Sequence, residues 1–338
     1  MGQSAFRLGF PIGQDLIFGS GSKNMDRQSK TITFFSPAFK RVESPLIPKS
    51  NGCGTVALSV TGSQCHLNCG HCGKTILKNM LPALTPEELR QRASRIAQKG
   101  GQGILISGGS DKDGSVPLIP FARAMKEIKA EWGLKILVHT GMVHPGAADA
   151  LAEAGIDLAL LDIIGDDQTI RRVCGLKASV SDFERSLQLL IERSIPTAPH
   201  VIMGLHFGRL KGEEKALTII RPYPIKALVM VGLRPMSRTA MAKVTPPEPE
   251  AMGGLLCLAR RMFPQVPVVL GCERPLGRHR RILDSLALEA GLDGIAFPTE
   301  EAVRWAENRG LTIRYQGECC ALIQNDRGEK APLPEVEA

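Results

Sequence analysis

Three cysteines lie close together in residues 65–72, where Cys65, Cys69 and Cys72 have the spacing C-x3-C-x2-C. Three thiolates at this spacing can bind three iron atoms of a cubane cluster and leave the fourth iron without a protein ligand. A zinc site would need four ligands, and His66 or His71 could supply the fourth only at an unusual spacing. The motif therefore favours an iron–sulfur cluster with one open position, as a catalytic metal site requires, over a closed zinc knuckle.

The composition is that of a globular protein in a reducing compartment. Of the 338 residues, 43% are hydrophobic and 22% are charged, which excludes a disordered or fibrous chain. The N-terminus has no basic segment followed by an apolar one, and no apolar run is as long as a membrane helix. Nine cysteines without a secretion signal favour metal binding or catalysis over disulfides. We therefore expect a cytoplasmic protein that does not bind a membrane.

The chain is basic, and its charge is concentrated at the N-terminus. The 42 Lys and Arg residues against 34 Asp and Glu give a formal charge of +8, and residues 1–52 hold seven basic residues against three acidic ones. Such a charge attracts an acidic partner, and by itself it leaves nucleic acid, an acidic protein and simple solubility open. A non-catalytic protein that binds zinc or nucleic acid is therefore the competing functional class.

The elements that must position the cysteines alternate between strands and helices. From residue 55 onward, short apolar runs alternate with amphipathic stretches, one of which begins with Thr85 as N-cap and Glu88 three residues later. The predicted strands are residues 55–61, 103–107, 135–140, 157–163, 199–203, 227–233, 266–270 and 294–297. Eight strands with helices between them predict an α/β fold, a closed (β/α)8 TIM-like barrel, with an open doubly wound sheet as the alternative.

Three regions are expected along the chain. Residues 1–52, rich in Gly, Ser and Pro, are predicted to form an N-terminal arm, residues 53–310 the barrel, and residues 311–338 a short C-terminal extension. In such a barrel the chemistry lies at the carboxyl ends of the strands, and the cysteine loop follows the first strand. The other strand ends carry Gly108, Gly109 and Ser110 (second), Asp162 (fourth), His206 (fifth), Arg234 (sixth) and Cys272 (seventh).

With the cysteine triplet directly after the first strand, the chain resembles the radical S-adenosylmethionine (SAM) superfamily. The resemblance implies that Cys65, Cys69 and Cys72 ligate a [4Fe-4S] cluster, and that S-adenosylmethionine chelates the open iron and is cleaved reductively to a 5′-deoxyadenosyl radical. A flavodoxin or ferredoxin would supply the electron. The implied cofactor contacts are His71 near the adenine, Gly108, Gly109 and Ser110 near the amino group, Asp162 at the ribose and His206 in the pocket. His200 is expected in the core.

Residues 181–193 and 196–205 resemble the helix–strand unit of biotin synthase and its relatives. Sulfur-inserting members of that branch carry a second iron–sulfur cluster that serves as the sulfur donor. Its candidate ligands here are Cys272, Cys319 and Cys320, with Cys174 as a further one, and the alternative is a group of unrelated thiols. Residues 319 and 320 lie on a tail that is expected to return across the barrel mouth.

The basic charge favours a lipoyl synthase over a biotin synthase, because the octanoyl substrate of lipoyl synthases is attached to an acidic carrier domain. An arginine run, Arg278, Arg280 and Arg281, lies beside Cys272 in the sequence and could bind such a domain. The chain lacks the N-terminal C-x4-C-x5-C motif of single-chain lipoyl synthases. In detail it therefore resembles the split lipoyl synthases, in which two radical SAM proteins share the two sulfur insertions.

The sequence thus predicts a lipoyl synthase-like sulfurtransferase with Cys272 and Arg234 as catalytic residues. Its expected partners are an octanoylated acidic carrier, a reducing flavodoxin or ferredoxin, and a second radical SAM protein. The alternatives are biotin synthase-like sulfur insertion and a radical reaction that uses a single cluster. A radical tRNA-modifying methylthiolase would also explain the basic charge, but the sequence shows no separate RNA-binding domain.

Overall fold

Eleven strands in one sheet form the centre of the protein in the computed structural model, which describes residues 31–37 and 54–326. The strands are β1 (Thr31–Phe35), β2 (Thr55–Ser59), β3 (Leu81–Pro82), β4 (Gly103–Ser107), β5 (Lys135–His139), β6 (Leu158–Asp162), β7 (Thr197–Met203), β8 (Leu228–Gly232), β9 (Val268–Leu270), β10 (Gly294–Ala296) and β11 (Thr312–Gln316).

Helices connect most of these strands. They are α1 (Pro86–Gln98), α2 (Ala122–Trp132), α3 (Pro145–Ala154), α4 (Asp167–Thr169), α5 (Val180–Glu192), α6 (Glu213–Ile220), α7 (Pro249–Met262), α8 (Arg278–Glu289) and α9 (Glu300–Asn308). Helix α4 continues into a π-helical turn, Ile170–Cys174. The predicted N-cap of α1 is confirmed, since the hydroxyl of Thr85 accepts a hydrogen bond from the amide of Glu88 at 3.1 Å.

The strand order is β11-β1-β10-β9-β8-β7-β6-β5-β4-β2-β3, and all these pairings are parallel. The sheet curls into a TIM-like half-barrel with helices, which confirms the predicted α/β fold class. The predicted closure of the barrel is not seen, because β11 and β3 stand at the two ends of the sheet among the described strands. The eight predicted strands follow one another around the sheet without the reversal that a doubly wound sheet requires. The sheet is nevertheless wider than predicted, because β1, β3 and β11 extend it.

Apolar side chains fill two layers, one on each face of the sheet. On β6, Ala159 and Leu161 face the outer layer beneath the helices, whereas Leu158 and Leu160 face the inner layer inside the curl. This alternation follows from the two-residue period of a strand. Burial of each large apolar side chain stabilises the fold by about 1.5–3 kcal/mol.

The segment after β11 covers the amino-terminal end of the half-barrel. A Cβ on residue 54 would lie 1.6 Å from the carbonyl oxygen of Gly317, so only glycine permits this contact. The amide of Cys319 donates to Thr55 Oγ1 (3.0 Å), and Lys135 Nζ donates to Glu318 Oε1 (2.7 Å). Because Thr55 and Lys135 begin β2 and β5, the expectation that this tail crosses the barrel mouth is wrong.

Both predicted terminal regions contribute a strand to the sheet. Strand β1, from the predicted arm, lies between β10 and β11, and β11 belongs to the predicted extension. The domain boundaries themselves stay predictions, since residues 1–30 and 38–52 of the arm, residue 53 of the barrel and residues 327–338 of the extension lie outside the described residues. Among the residues that the structure describes, no helix has the length and apolar character needed to cross a bilayer.

A fully buried ion pair joins the turn after β9 to α8. Arg274 Nε donates to Asp284 Oδ1 at 2.8 Å, and both side chains are 0% exposed. The guanidinium also donates to the carbonyls of Gly271 (2.7 Å) and Ala296 (2.8 Å), and the second carboxylate oxygen accepts from the amide of Thr299 (2.9 Å). These bonds offset the desolvation of the two charges and fix α8 against the strand ends.

Candidate functional site

The cysteine loop follows β2 directly, as predicted, and hydroxyl groups fix its first turn. The hydroxyl of Ser59 donates to the carbonyl of Gly62 (2.7 Å), and that of Thr61 donates to the carbonyl of Gln64 (2.9 Å). Thr61 Oγ1 also accepts from the amide of Gly109 (2.6 Å). The loop is thus joined to the segment after β4 before its first cysteine.

All three thiols of the triplet are partly exposed and make hydrogen bonds. Cys65 Sγ accepts from the amide of Ser110 (3.2 Å), and a side-chain hydrogen bond joins Cys69 to Cys72. A hydrogen bond to Cys174 and burial raise the pKa of Cys69 to about 12, although its bond to Cys72 acts in the opposite direction. The bond to Cys69 and burial raise the pKa of Cys72.

The donor set fits a [4Fe-4S] cluster better than a single metal ion. Within the described ranges, no three His, Cys, Asp or Glu side chains converge closely enough to hold one ion. A cubane does not need such convergence, because it distributes its protein ligands over separate iron atoms. Of the two histidines that a zinc site would draw on, His66 is exposed and lies 3.3 Å from Asp111, whereas His71 is turned into the protein.

Gly109 brings the segment after β4 into direct contact with the cysteine loop. A Cβ on residue 109 would lie 1.9 Å from the carbonyl oxygen of Gln64 and 2.5 Å from the Cβ of Cys65, so no larger residue fits. The amide of His66 also donates to the carbonyl of Ser110 (2.8 Å). The predicted glycine run therefore lies against the triplet and lines an open cavity of about 680 Å³ beside Cys65.

His71 carries a polar atom without a partner at the buried side of the loop. Its Nδ1 is buried and has no hydrogen-bond partner among the described residues. Burial lowers the pKa of His71, and the nearby carboxylate of Asp162 partly opposes this shift. A buried ring nitrogen without a hydrogen-bond partner in the protein is expected where a bound group supplies that partner. This fits the adenine position that the superfamily resemblance implies for His71.

Two histidines from neighbouring strands accompany Asp162, the last residue of β6. His139, which ends β5, places Nε2 at 3.9 Å from Asp162 Oδ1. His200 on β7 is in register with Asp162, and its ring lies 5.5 Å from that of His139. His200 Nδ1 donates to the carbonyl of Ala198 (3.1 Å), and burial lowers its pKa to about 4. Sequence reasoning missed His139 as a site residue, although its place at a strand end was a usable signal.

His206 lies in a buried hydrogen-bonded network rather than at the open mouth. It is 8% exposed, and its Nδ1 lies 2.9 Å from Thr169 Oγ1. The Thr169 hydroxyl donates to Asp166 (2.7 Å), so His206 Nδ1 must be the donor to Thr169. Asp166 in turn lies 3.5 Å from Lys211 Nζ. The cofactor contact expected of His206 stays a prediction, and in this arrangement its Nδ1 already has a partner.

Three of the four candidate second-cluster cysteines meet in the inner layer. Cys320 is buried in this layer, and Cys272 and Cys319 are partly buried and pack against the same layer. The hydrogen bond between Cys319 and Cys320 lowers the pKa of Cys319 and raises the pKa of Cys320. Burial and the nearby Cys272 raise the pKa of Cys320 further. Cys174 instead belongs to the outer layer and lies beside Cys69. The structure thus separates Cys174 from the other three, whose role as metal ligands stays a prediction.

Arg234, the other predicted catalytic residue, pairs with the residue that follows Cys272. Its Nη1 is 3.2 Å from Glu273 Oε2, and Glu273 directly follows Cys272 in the chain. The guanidinium is one-third exposed and therefore remains accessible to an anionic group. Its catalytic role stays a prediction.

The arginine run at the start of α8 divides between surface and interior. Arg278 and Arg281 are exposed, and Arg281 lies 3.5 Å from Glu301. Arg280 turns inward and donates to the carbonyl of Phe297. Burial, with the neighbouring Arg274, lowers the pKa of Arg280 to about 10. Two of the three predicted arginines are thus exposed at the surface.

Comparison with known proteins finds similarity to one described family in the part of the chain that holds this site. Residues 59–209 match the model of the radical SAM superfamily, a stretch that contains the cysteine loop, the glycine run and Asp162. A biotin synthase from Brucella anthropi is 25% identical over 226 residues, which is 64% of this chain and, at 66%, just under two thirds of that relative. A biotin synthase from Acidithiobacillus ferrooxidans is 24% identical over 254 residues, 73% of this chain and 78% of the relative.

Solved structures show the same fold at low sequence identity. The crystal structure of methylornithine synthase superposes with a TM-score of 0.54 at 15% identity, covering 78% of this chain and 83% of that one. The similarity therefore concerns the half-barrel and its helices.

Proposed function

We propose that the chain is a radical SAM enzyme, of the class that uses a [4Fe-4S] cluster and S-adenosylmethionine, and that it inserts sulfur at an unactivated C–H bond. The observation that carries the proposal is the second group of thiols, Cys272, Cys319 and Cys320, inside the half-barrel. Sulfur insertion needs a sulfur donor, and a second iron–sulfur cluster on these cysteines would be that donor. The biotin synthase names of the curated relatives support the same reaction class.

The chain's own residues bind and orient the reactants. Cys65, Cys69 and Cys72 would hold the first cluster, which together with S-adenosylmethionine would supply the one-electron chemistry that activates the C–H bond. The backbone of the glycine run after β4 and the buried Nδ1 of His71 offer hydrogen bonds to the cofactor. The apolar inner layer excludes water from the reacting carbon.

The substrate that we propose is an octanoyl chain on an acidic carrier domain, with Cys272 and Arg234 beside the reacting carbon. The charge of +8 and the exposed Arg278 and Arg281 support this choice. In this proposal a flavodoxin or ferredoxin supplies electrons, and a second radical SAM protein shares the two insertions. Dethiobiotin is the second candidate substrate, and the names of the relatives favour it.

Product analysis with two substrates tests this proposal. The full chain, reconstituted anaerobically and reduced, is incubated separately with an octanoylated lipoyl-domain peptide and with dethiobiotin. We expect the peptide to gain the mass of sulfur with the wild-type chain and with Cys257→Ala, an exposed cysteine on α7. A triple alanine variant of Cys272, Cys319 and Cys320 should lose this product but still release 5′-deoxyadenosine.

Iron content provides the second arm of the test. Wild-type protein should contain about eight irons per chain and the triple variant about four, because each cubane holds four. Equal iron content in the two proteins would overturn sulfur insertion from a second cluster. Sulfur gain by dethiobiotin alone would overturn the octanoyl substrate and support the second candidate.

A further inference from the structure

Three polar side chains face the inside of the half-barrel where the neighbouring strands β5, β6 and β7 approach their carboxyl ends. His139, Asp162 and His200 each stand two residues beyond an apolar residue of the inner layer, namely Leu137, Leu160 and Ala198. The two-residue period of a strand therefore turns all three inward. The side chains of His139 and Asp162 are 30% and 36% exposed, and His200 is partly exposed. A ligand inside the half-barrel can thus reach these groups.

The ring of His200 has a fixed tautomer that leaves one nitrogen as an acceptor. Its Nδ1 lies 3.1 Å from the carbonyl oxygen of Ala198, and a carbonyl only accepts, so the hydrogen is on Nδ1. Burial and the neighbouring His139 lower the pKa of His200 to about 4, so the ring is neutral at pH 7. Among the described residues this is the ring's one hydrogen bond, and Nε2 offers its lone pair to a ligand.

His200 lies on the part of the wall that separates the two groups of cysteines. The cysteine loop follows β2 and Cys272 follows β9, and the sheet runs β2-β4-β5-β6-β7-β8-β9 between them. Asp162, one strand nearer the cysteine loop, is close enough to His71 for its charge to act on that ring. If sulfur is inserted as proposed, the reacting carbon must lie between the first cluster and the second group of thiols. A substrate in that place passes β7.

We propose that His200 is a substrate-binding residue whose Nε2 accepts a hydrogen bond from an N–H group beside a carbonyl in the substrate. The inference rests on the proposed function and deepens it by naming the group that is recognised. Both candidate substrates carry such an N–H, in the amide that joins an octanoyl chain to a lysine and in the ureido group of dethiobiotin. An octanoyl thioester and free octanoate have none, so the site should distinguish an acyl amide from these forms. The apolar inner layer that begins at Ala198 suits the methylenes.

Binding of matched ligands to the full chain tests this inference. The protein is reconstituted anaerobically and kept unreduced with S-adenosylmethionine, so that no turnover occurs, and dissociation constants are measured by calorimetry. The octanoyl amide peptide is compared with its ester, and dethiobiotin with the cyclic carbamates in which oxygen replaces one ureido N–H. His200→Phe keeps a ring without an acceptor, and His200→Gln keeps an acceptor oxygen. His144→Phe, at an exposed histidine before α3, is the control.

We expect the wild type and His144→Phe to bind the N–H ligand about ten-fold more tightly than its oxygen analogue, which leaves Nε2 without a donor. His200→Phe should bind both members of the pair equally and keep its affinity for S-adenosylmethionine, whereas His200→Gln should retain part of the preference.

Equal binding of both members by the wild type would overturn the inference without touching sulfur insertion, and this result requires no variant to fold. The inference also fails if His200→Phe keeps the preference, or if it loses affinity for S-adenosylmethionine to the same extent, because His200 would then contact the cofactor. Failure of the wild type to bind either substrate would overturn the substrate proposal together with this inference.

Discussion

Gly109 makes the closest contact between the two loops of the site, and its replacement should open that contact. The methyl group of Gly109→Ala would meet the carbonyl oxygen of Gln64 at 1.9 Å, so one loop must move. We expect the iron bound after anaerobic reconstitution to fall several-fold and stability to fall by about 1–3 kcal/mol. Gly146→Ala on α3 is the matched control, since no atom lies within 4 Å of its added Cβ. Equal iron content in the two variants would contradict this role of Gly109.

The positions of site residues that directly follow a strand were predictable from the sequence. The positions of side chains that are set by how deeply the fold buries them were not. The cysteine triplet and the glycine run follow strand ends within a few residues, so the sequence places them together. His200 and His206 lie on or just after the same strand, β7, but the fold places their rings in different surroundings. His200 lies beside Asp162 and His139, while His206 is enclosed by the Thr169 network. The sequence near these two histidines does not indicate which surroundings each ring will have.

At the scale of elements, the buried pair of Arg274 and Asp284 joins a strand end to two helices. Asp284→Asn would leave the charge of Arg274 unpaired at 0% exposure. We expect a loss of about 3–5 kcal/mol in the free energy of unfolding, measured by urea titration. Arg281→Gln, which breaks the exposed pair with Glu301, should cost at most about 1 kcal/mol. Similar costs for the two variants would show that the buried pair does not hold α8 in place.

The eight barrel strands were predictable because each is an apolar run followed by an amphipathic helix. Strands β1 and β11 lack that context. Four of the five residues of β1 are buried, but the strand lies in a region rich in Gly, Ser and Pro, and its partners come more than 250 residues later. Strand β11 is mostly exposed and has no apolar run. Both strands are formed by pairing with distant segments, which local periodicity does not record.

At the scale of the whole molecule, the net charge and the exposed arginines of α8 predict salt-sensitive binding of an acidic carrier. An octanoylated lipoyl domain should bind more weakly as salt rises beyond about 0.1 M, where the Debye length is about 10 Å. Reversing the charges of Arg278 and Arg281 to Glu should weaken binding about ten-fold at low salt. Calorimetric titration measures both effects.

Reversal of Arg123 and Lys126 on α2 to Glu is the matched control for that experiment. It changes the net charge equally, and both side chains are exposed. Helix α2 packs beside α1 and α3, whereas α8 packs beside α7 and α9. If both double variants weaken binding to the same extent, the carrier responds to net charge alone and α8 is not its docking site.

The position of β1 between β10 and β11 has a consequence for biosynthesis. Residues 31–35 leave the ribosome early, but their two partner strands are complete only at residue 316. At about 5–20 residues per second, β1 waits roughly 15–55 s for its neighbours. During this time Phe34 and Phe35, which are at most 1% exposed in the finished fold, remain available to chaperones and to other nascent chains. A ribosome that stalls before residue 294 therefore leaves an unpaired, aggregation-prone strand on the growing chain.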